Sequence, residues 1–211
     1  MEKGVLIVLR HGASMWNEKN LFTGWVDIPL SARGVEESIK AGHAISHLQI
    51  DIVFTSALIR AQMTAMLAML SSSCVPCIVH DAKIRDGVIP VRTAWQLNER
   101  MYGELQGMNK DEMRKKFGEE QVHLWRRSFD EIPPGGESLK MTCERTHPYF
   151  QQEIAPLLDQ GKTVFISAHG NSLRSIVMDL EKLSHEDVLS LEIPTGIPWI
   201  YQWQENQWRR S

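Results

Sequence analysis

The chain has 211 residues, 43% hydrophobic and 23% charged, enough for one full-sized core and short for two independent ones. Its 23 Lys plus Arg against 26 Asp plus Glu give a net charge of −3, which argues against a general nucleic-acid binder but leaves room for a small basic pocket. No apolar run approaches a membrane span or a secretory signal, and three cysteines, an odd number, fit free thiols in a reducing cytoplasm.

Residues 5–9, Val-Leu-Ile-Val-Leu, read as a buried strand that runs into Arg10, His11 and Gly12. Ser31 is a candidate N-cap for a helix carrying Val35, Ile39 and Ile45 on one face. A second strand is expected over 51–55 and a helix over 58–70, where Ala, Leu and Met recur without Gly or Pro. Cys74 and Cys77 have redox spacing, but they precede a strand-like segment, 77–80, and are read as packed thiols. Residues 86–138 show no clear strand and many charges, and are expected to form a helical insertion over the strand ends. Within it, Asn109 with Glu112 three residues later resembles a capping box, and PPGG at 133–136 marks a loop. Residues 137–158 read as a helix kinked at Pro148, and 163–168 as the last strong strand. This alternation predicts an α/β fold: one three-layer α/β/α domain over 1–211 with a mainly parallel central sheet.

Ligands of open α/β sheets bind beyond the carboxyl ends of the strands. His11 occupies that position after the first strand, and His169 occupies it in TVFISAHGNSLR after the last. Each histidine precedes a glycine, and Asn171 and Ser172 resemble a helix N-cap region whose free N–H groups favour an anion. One histidine alone is most simply a structural or surface residue; two at equivalent strand ends point to a site. Paired histidines suit zinc, yet Arg10 abuts one and Arg174 follows the other, and guanidinium groups repel a dication while attracting an oxyanion. Phosphate is therefore the expected ligand and no metal is expected. Arg60, Lys110 and the tandem Arg126 and Arg127 are further cations that serve an anion or a solvated surface. Glu99 is either an ion-pair partner or a proton carrier.

The blocks LRHGASMWN, NLFTGWVDIPLSARG, QLNERMYGELQGMNK, AHGNSLR and IPTGIPWIY resemble the cofactor-dependent phosphoglycerate mutases of the histidine phosphatase superfamily, across nearly the whole chain. That resemblance implies that His11 accepts a phosphoryl group, that Glu99 is the general acid and base, and that His169 steadies the phosphoryl oxygens. It implies substrate contacts for Arg10, Ser14, Asn17, Thr23, Gly24, Arg60 and Arg100, and for Met101, Tyr102, Lys110, Arg126, Arg127, Gly170 and Asn171. The implied reaction interconverts 2- and 3-phosphoglycerate in glycolysis and gluconeogenesis. The implied cofactor is 2,3-bisphosphoglycerate, without a metal, and the partner is a small phosphorylated hydroxy acid, with no nucleic acid and no membrane. The protein is expected in the cytoplasm as a monomer or homodimer. The connection from Asp130 to Ser138 is short, and PPGGES resembles that of plain phosphatases in the superfamily, so some phosphatase side activity is expected. A phosphomonoesterase and a catalytically inactive phosphate binder are the competing readings.

Overall fold

The computed structural model describes residues 3–72, 76–78 as backbone, and 88–211. Seven strands form one sheet: β1 (Leu6–Arg10), β2 (Ile52–Thr55), β3 (Pro76–Ile78), β4 (Ile89–Thr93), β5 (Val164–Ala168), β6 (Pro198–Gln204) and β7 (Gln207–Arg210). Their order is β3-β4-β2-β5-β1-β6-β7. The first five are parallel to one another, and β6 and β7 close one edge antiparallel. The expected mainly parallel α/β architecture is what forms.

The central strands are apolar without alternation because both faces are covered. Leu6 and Val8 of β1, with Val164, Ile166 and Ala168 of β5, point into one core. That core is closed by α6 (Leu139–Tyr149) and α8 (Gly170–Glu181). Ile7, Leu9, Val53 and Phe165 point into the opposite core, beneath α2 (Ala32–Ile45) and α3 (Ile59–Ser71). Three layers follow directly.

Ser31 caps α2 as expected, accepting from the Gly34 N–H at 3.2 Å. The buried face is not the expected one, however. Gly34, Ser38, Ala41, Gly42 and Ile45 face inward, and Val35 and Ile39 are half-buried. Small residues let two backbones approach. A Cβ on Gly34 would fall inside contact distance of the Ala13 carbonyl, and one on Gly12 would meet the Gly34 carbonyl. The start of α2 is thereby pressed against the turn that carries His11.

Two further expectations need correction. The strand β4 lies within the stretch taken as strandless, hidden because Pro90 and Arg92 interrupt its apolar pattern. The insertion therefore begins after Thr93, and around Glu99 it is not helical: two short 3-10 turns, Trp95–Leu97 and Gly103–Leu105, flank an irregular run. Its helices are α4 (Lys110–Phe117) and α5 (Glu119–Arg127), with Asn109 capping α4 through the Asp111 and Glu112 N–H groups. These carry a small core of their own, Met113, Val122 and Trp125, packed on Phe22 and Leu105. The kinked helix is interrupted by a π-type segment, Phe150–Ile154, framed by Pro148 and by Pro156 at the start of α7 (Ala155–Asp159). Only part of the strand expected over 77–80 is described, and the start of the expected insertion, Cys74 and the Cys77 side chain lie outside the described residues. The remaining helices are α1 (Met15–Glu18) and α9 (His185–Ser190), and among the described residues no helix is long and apolar enough to cross a membrane.

Gly34→Ala tests the close approach. Helix propensity alone would stabilise the variant by up to about 1 kcal/mol. The crowding at Ala13 predicts the opposite sign, a loss of about 1–3 kcal/mol seen as a lower urea midpoint at unchanged slope.

Candidate active site

Parallel register builds the site. In the pairing of β1 with β5, Arg10 lies opposite Ala168, and in the pairing of β2 with β5, Thr55 lies opposite Ser167. One residue beyond each strand stand His11, Ser56 and His169, so three side chains converge across neighbouring strand ends. The two imidazole centroids are 4.9 Å apart with ring planes tilted by 59°. The Ser56 hydroxyl and His169 Nε2 are 2.7 Å apart, and His169 Nδ1 is buried with no protein partner.

His11 is 3% exposed, with Nδ1 2.7 Å from the Gly12 carbonyl oxygen. Only a donor can approach an oxygen so closely, so Nδ1 carries the proton and Nε2 keeps its lone pair. Burial, then Arg60 and Arg10, hold the imidazole well below its ordinary pKa of 6.5. Burial, Arg60 and His11 do the same for His169. Both rings are neutral at physiological pH.

Glu99 reaches the same place from the insertion. Its Oε1 accepts from the Arg100 N–H at 2.7 Å, the Asn171 Nδ2 at 2.8 Å and the Asn171 N–H at 3.1 Å. Burial works to raise its pKa, but the bonds from Arg100 and Asn171, with the charges of Arg10 and Arg60, win and lower it. Glu99 is an ionised carboxylate here. The start of α8, expected to present free N–H groups, in fact spends the Asn171 N–H on Glu99. Gly170 lies beside both groups: a Cβ there would sit 3.6 Å from Arg10 Nε and 3.8 Å from Glu99 Oε2, ordinary contact distances.

His11, Glu99 and Gly170 line a cavity of about 110 Å³. Six cations face it, Arg10, Arg60, Lys110, Arg126, Arg127 and Arg174, against the carboxylates of Glu99 and Glu192. In a chain of net charge −3 this is a concentrated positive field. Burial and the neighbouring Arg126 and Arg10 lower the Lys110 ammonium to about 8, and burial lowers Arg60 to about 10. Several guanidinium nitrogens are buried without any protein partner: Arg10 Nε, Arg60 Nε, and Arg100 Nε and one terminal nitrogen. Unpaired buried donors on cations call for an anion. Among the described residues no group of three His, Cys, Asp or Glu side chains is placed to hold a metal ion.

Of the residues singled out in the sequence, Asn17, Thr23, Gly24, Tyr102, Gly170 and Asn171 also line the cavity. His169 packs against His11 and is fully buried, outside the cavity lining. Ser14, Arg100 and Met101 stand behind the lining. Ser14 caps α1 and bonds Asn17 Oδ1 at 2.9 Å, and Arg100 supports Tyr102 and the Arg126 carbonyl. Of the charged lining residues, Arg174 was read in the sequence only as a guanidinium near His169 that attracts an oxyanion, and Glu192 was not singled out. Arg174 sits one turn into α8 from Gly170, a helical spacing that makes it findable, and bonds Asn171 Oδ1 at 3.3 Å. Glu192, in a loop, pairs with Arg127 across the cavity mouth and leaves no local sequence signal.

Residues 6–210 match the histidine phosphatase superfamily (branch 1), and the chain belongs to that superfamily. Among solved structures, the fold resembles a mycobacterial glucosyl-3-phosphoglycerate phosphatase complexed with VO3, at TM-score 0.80, 23% identity and coverage of 99% of this chain and 97% of that one. The alpha-ribazole phosphatase from Shigella flexneri superposes at TM-score 0.78 and 21% identity over 98% and 94% of the two chains. Closer relatives narrow the placement. The chain is 57% identical to the 2,3-bisphosphoglycerate-dependent phosphoglycerate mutase of Chlamydia muridarum, over 98% of this chain and 97% of that one. It is 61% identical to the enzyme of the same description from Chlamydia trachomatis serovar L2b, over 94% and 93%.

Two neutral buried histidines make stability fall with acid. The unfolded chain takes up their protons near pH 6.5, the folded chain only well below, so unfolding is favoured as pH drops through 6.5. Each histidine contributes a slope of up to about 1.4 kcal/mol per pH unit in that window. Denaturant melts between pH 7 and 5 should show this loss, and His169→Phe should remove up to half of the slope. An unchanged slope in the variant contradicts a neutral His169.

Proposed function

We propose that the protein interconverts 2- and 3-phosphoglycerate through a phosphorylated His11, with 2,3-bisphosphoglycerate supplying the phosphoryl group that loads it. The single observation that carries this reading is the neutral His11 with Nε2 free, on a cationic cavity shared with an ionised Glu99. The relatives' names and the family blocks in the sequence support the choice of substrate. Each phosphate brings about −1.5 to −2 charge, so two phosphates and a carboxylate suit six facing cations far better than one small anion does. The unpaired donors of Arg10 and Arg60, which line the cavity, fit the same group.

Loaded with a phosphoryl group, His11 Nε2 faces a substrate hydroxyl. Glu99, as a carboxylate, takes the hydroxyl proton while the oxygen attacks phosphorus and the P–N bond breaks. In the second transfer His11 Nε2 attacks the other phosphate, the P–O bond breaks, and Glu99 returns its proton to the departing oxygen. The Nδ1–H bond to Gly12 keeps Nε2 as the nucleophile in both directions. Ser56 accepts from the Leu58 N–H and has one proton to give to His169 Nε2, which leaves Nδ1–H as a donor for a phosphoryl oxygen. Arg10 and Arg60 balance the charge at phosphorus; Lys110, Arg126 and Arg127 hold the remote phosphate. The helices α4 and α5, anchored on Phe22, cover the cavity and limit water. The site draws on residues from Arg10 to Ile193, which supports reading the chain as one functional unit. We assign it to the cytoplasm as a monomer or homodimer, with minor phosphatase activity from its short connection before Ser138.

With 3-phosphoglycerate, trace 2,3-bisphosphoglycerate and EDTA, the purified protein should form 2-phosphoglycerate well in excess of free phosphate. Predominant phosphate release would make it a phosphatase. Labelled bisphosphate should leave no phosphoenzyme on His11→Ala and should label Glu99→Gln slowly, about 100–10,000-fold below the natural chain. Equal labelling of His11→Ala would refute the nucleophile.

A further inference from the structure

Glu99 sits on an irregular run, and something other than secondary structure must fix it. Arg145, within α6, and Glu137, just before it, form an ion pair whose side chains are 8% and 14% exposed. The pair is two-pronged, Nε to Oε1 at 2.9 Å and a terminal nitrogen to Oε2 at 2.9 Å. Neither residue lines the cavity.

The remaining N–H groups of Arg145 go to the chain around Glu99. One terminal nitrogen donates to the Gln96 carbonyl at 2.7 Å, the other to the carbonyls of Asn98 at 3.0 Å and Glu99 at 2.9 Å. Glu137 holds the far side, its Oε2 accepting from the Met101 N–H at 3.0 Å and its own N–H donating to the Met101 carbonyl at 2.8 Å. The Trp25 indole donates to the same Glu99 carbonyl at 2.5 Å, and the Arg145 guanidinium lies 5.5 Å from the Trp25 ring centroid. One buried cation thus collects the carbonyls on both sides of Glu99 while its counter-ion ties the residue beyond.

We propose that the Arg145–Glu137 pair is a positioning device for Glu99, setting where the carboxylate stands relative to the reacting oxygen. The proposal rests on the reading of Glu99 as proton carrier. A guanidinium is required because its planar fork reaches several acceptors at once, which an ammonium cannot do. Displacing a proton carrier by about 1 Å can cost about 100-fold in rate. That loss falls only on transfers whose leaving oxygen needs a proton. A nitrophenolate leaves without one, and an alkyl oxygen does not.

The test compares single-turnover phosphorylation of His11 by 2,3-bisphosphoglycerate with the nitrophenolate burst from p-nitrophenyl phosphate. Arg145→Gln strands a buried carboxylate and can fail to fold, so Arg145→Lys, which keeps a cation beside Glu137, is the principal variant; Glu99→Gln is the reference. Arg145→Lys should lower the bisphosphoglycerate rate by about 100-fold and leave the burst within about threefold of the natural chain. Glu99→Gln should show the same separation, and adding Glu99→Gln to Arg145→Lys should lower the rate little further. Equal loss with both donors, or none with either, while Glu99→Gln separates them, overturns the positioning role alone. Failure of Glu99→Gln to separate the donors overturns the proton-carrier reading and the proposal resting on it.

Discussion

The hydrogen bond from His11 Nδ1 to the Gly12 carbonyl is the interaction on which the site depends. An imidazole among guanidinium groups is already disfavoured as a cation, but charge repulsion does not choose between its two neutral tautomers. The Gly12 carbonyl chooses. It stays in place because the peptides on both sides of Gly12 are fixed: the Ala13 N–H of the carbonyl's own peptide donates to Glu37 Oε2 at 2.8 Å, the Gly12 N–H donates to Thr64 Oγ1 at 3.1 Å, and Thr64 in turn donates to the Arg60 carbonyl at 2.8 Å. The backbone packing of Gly12 on Gly34 holds the other side. Two helices therefore secure one proton.

A cationic cavity of this kind is costly to fold. Arg60 is 1% exposed, and Arg100 is fully buried, each with nitrogens that no protein atom satisfies. The sheet and its two cores compensate, since the central strands β1 and β5 are almost wholly buried on both faces. Arg10 and Arg60 line the cavity, and their unpaired donors are stabilised when an anion enters, so affinity for phosphate and part of the folding cost have a single origin. Phosphoryl transfer needs little more than alignment and matched charge, and this arrangement offers both.

Strands buried on both faces were legible as unbroken apolar runs, and from them came the parallel sheet and the two histidines at its edge. β4 was hidden because Pro90 and Arg92 break the run, and β6, between β1 and the edge strand β7, because exposed Gln202 and Gln204 interrupt its apolar residues. The helix face of α2 was misjudged because size, not hydrophobicity, decides it: Gly34 and Gly42 are inside, and Ile39 is half out. In the site, the family blocks named most of the residues that the cavity gathers. Glu137 and Arg145 had no local pattern, since their backbone partners, an N–H for Glu137 and carbonyls for Arg145, lie up to 49 positions away.

The protonation of His11 can be read directly from the 15N chemical shifts of its ring nitrogens across a pH titration. A neutral ring with the proton on Nδ1 and a bare Nε2 is expected from pH 8 down past the ordinary value of 6.5. An imidazolium at neutral pH, or a neutral ring protonated on Nε2, would contradict it.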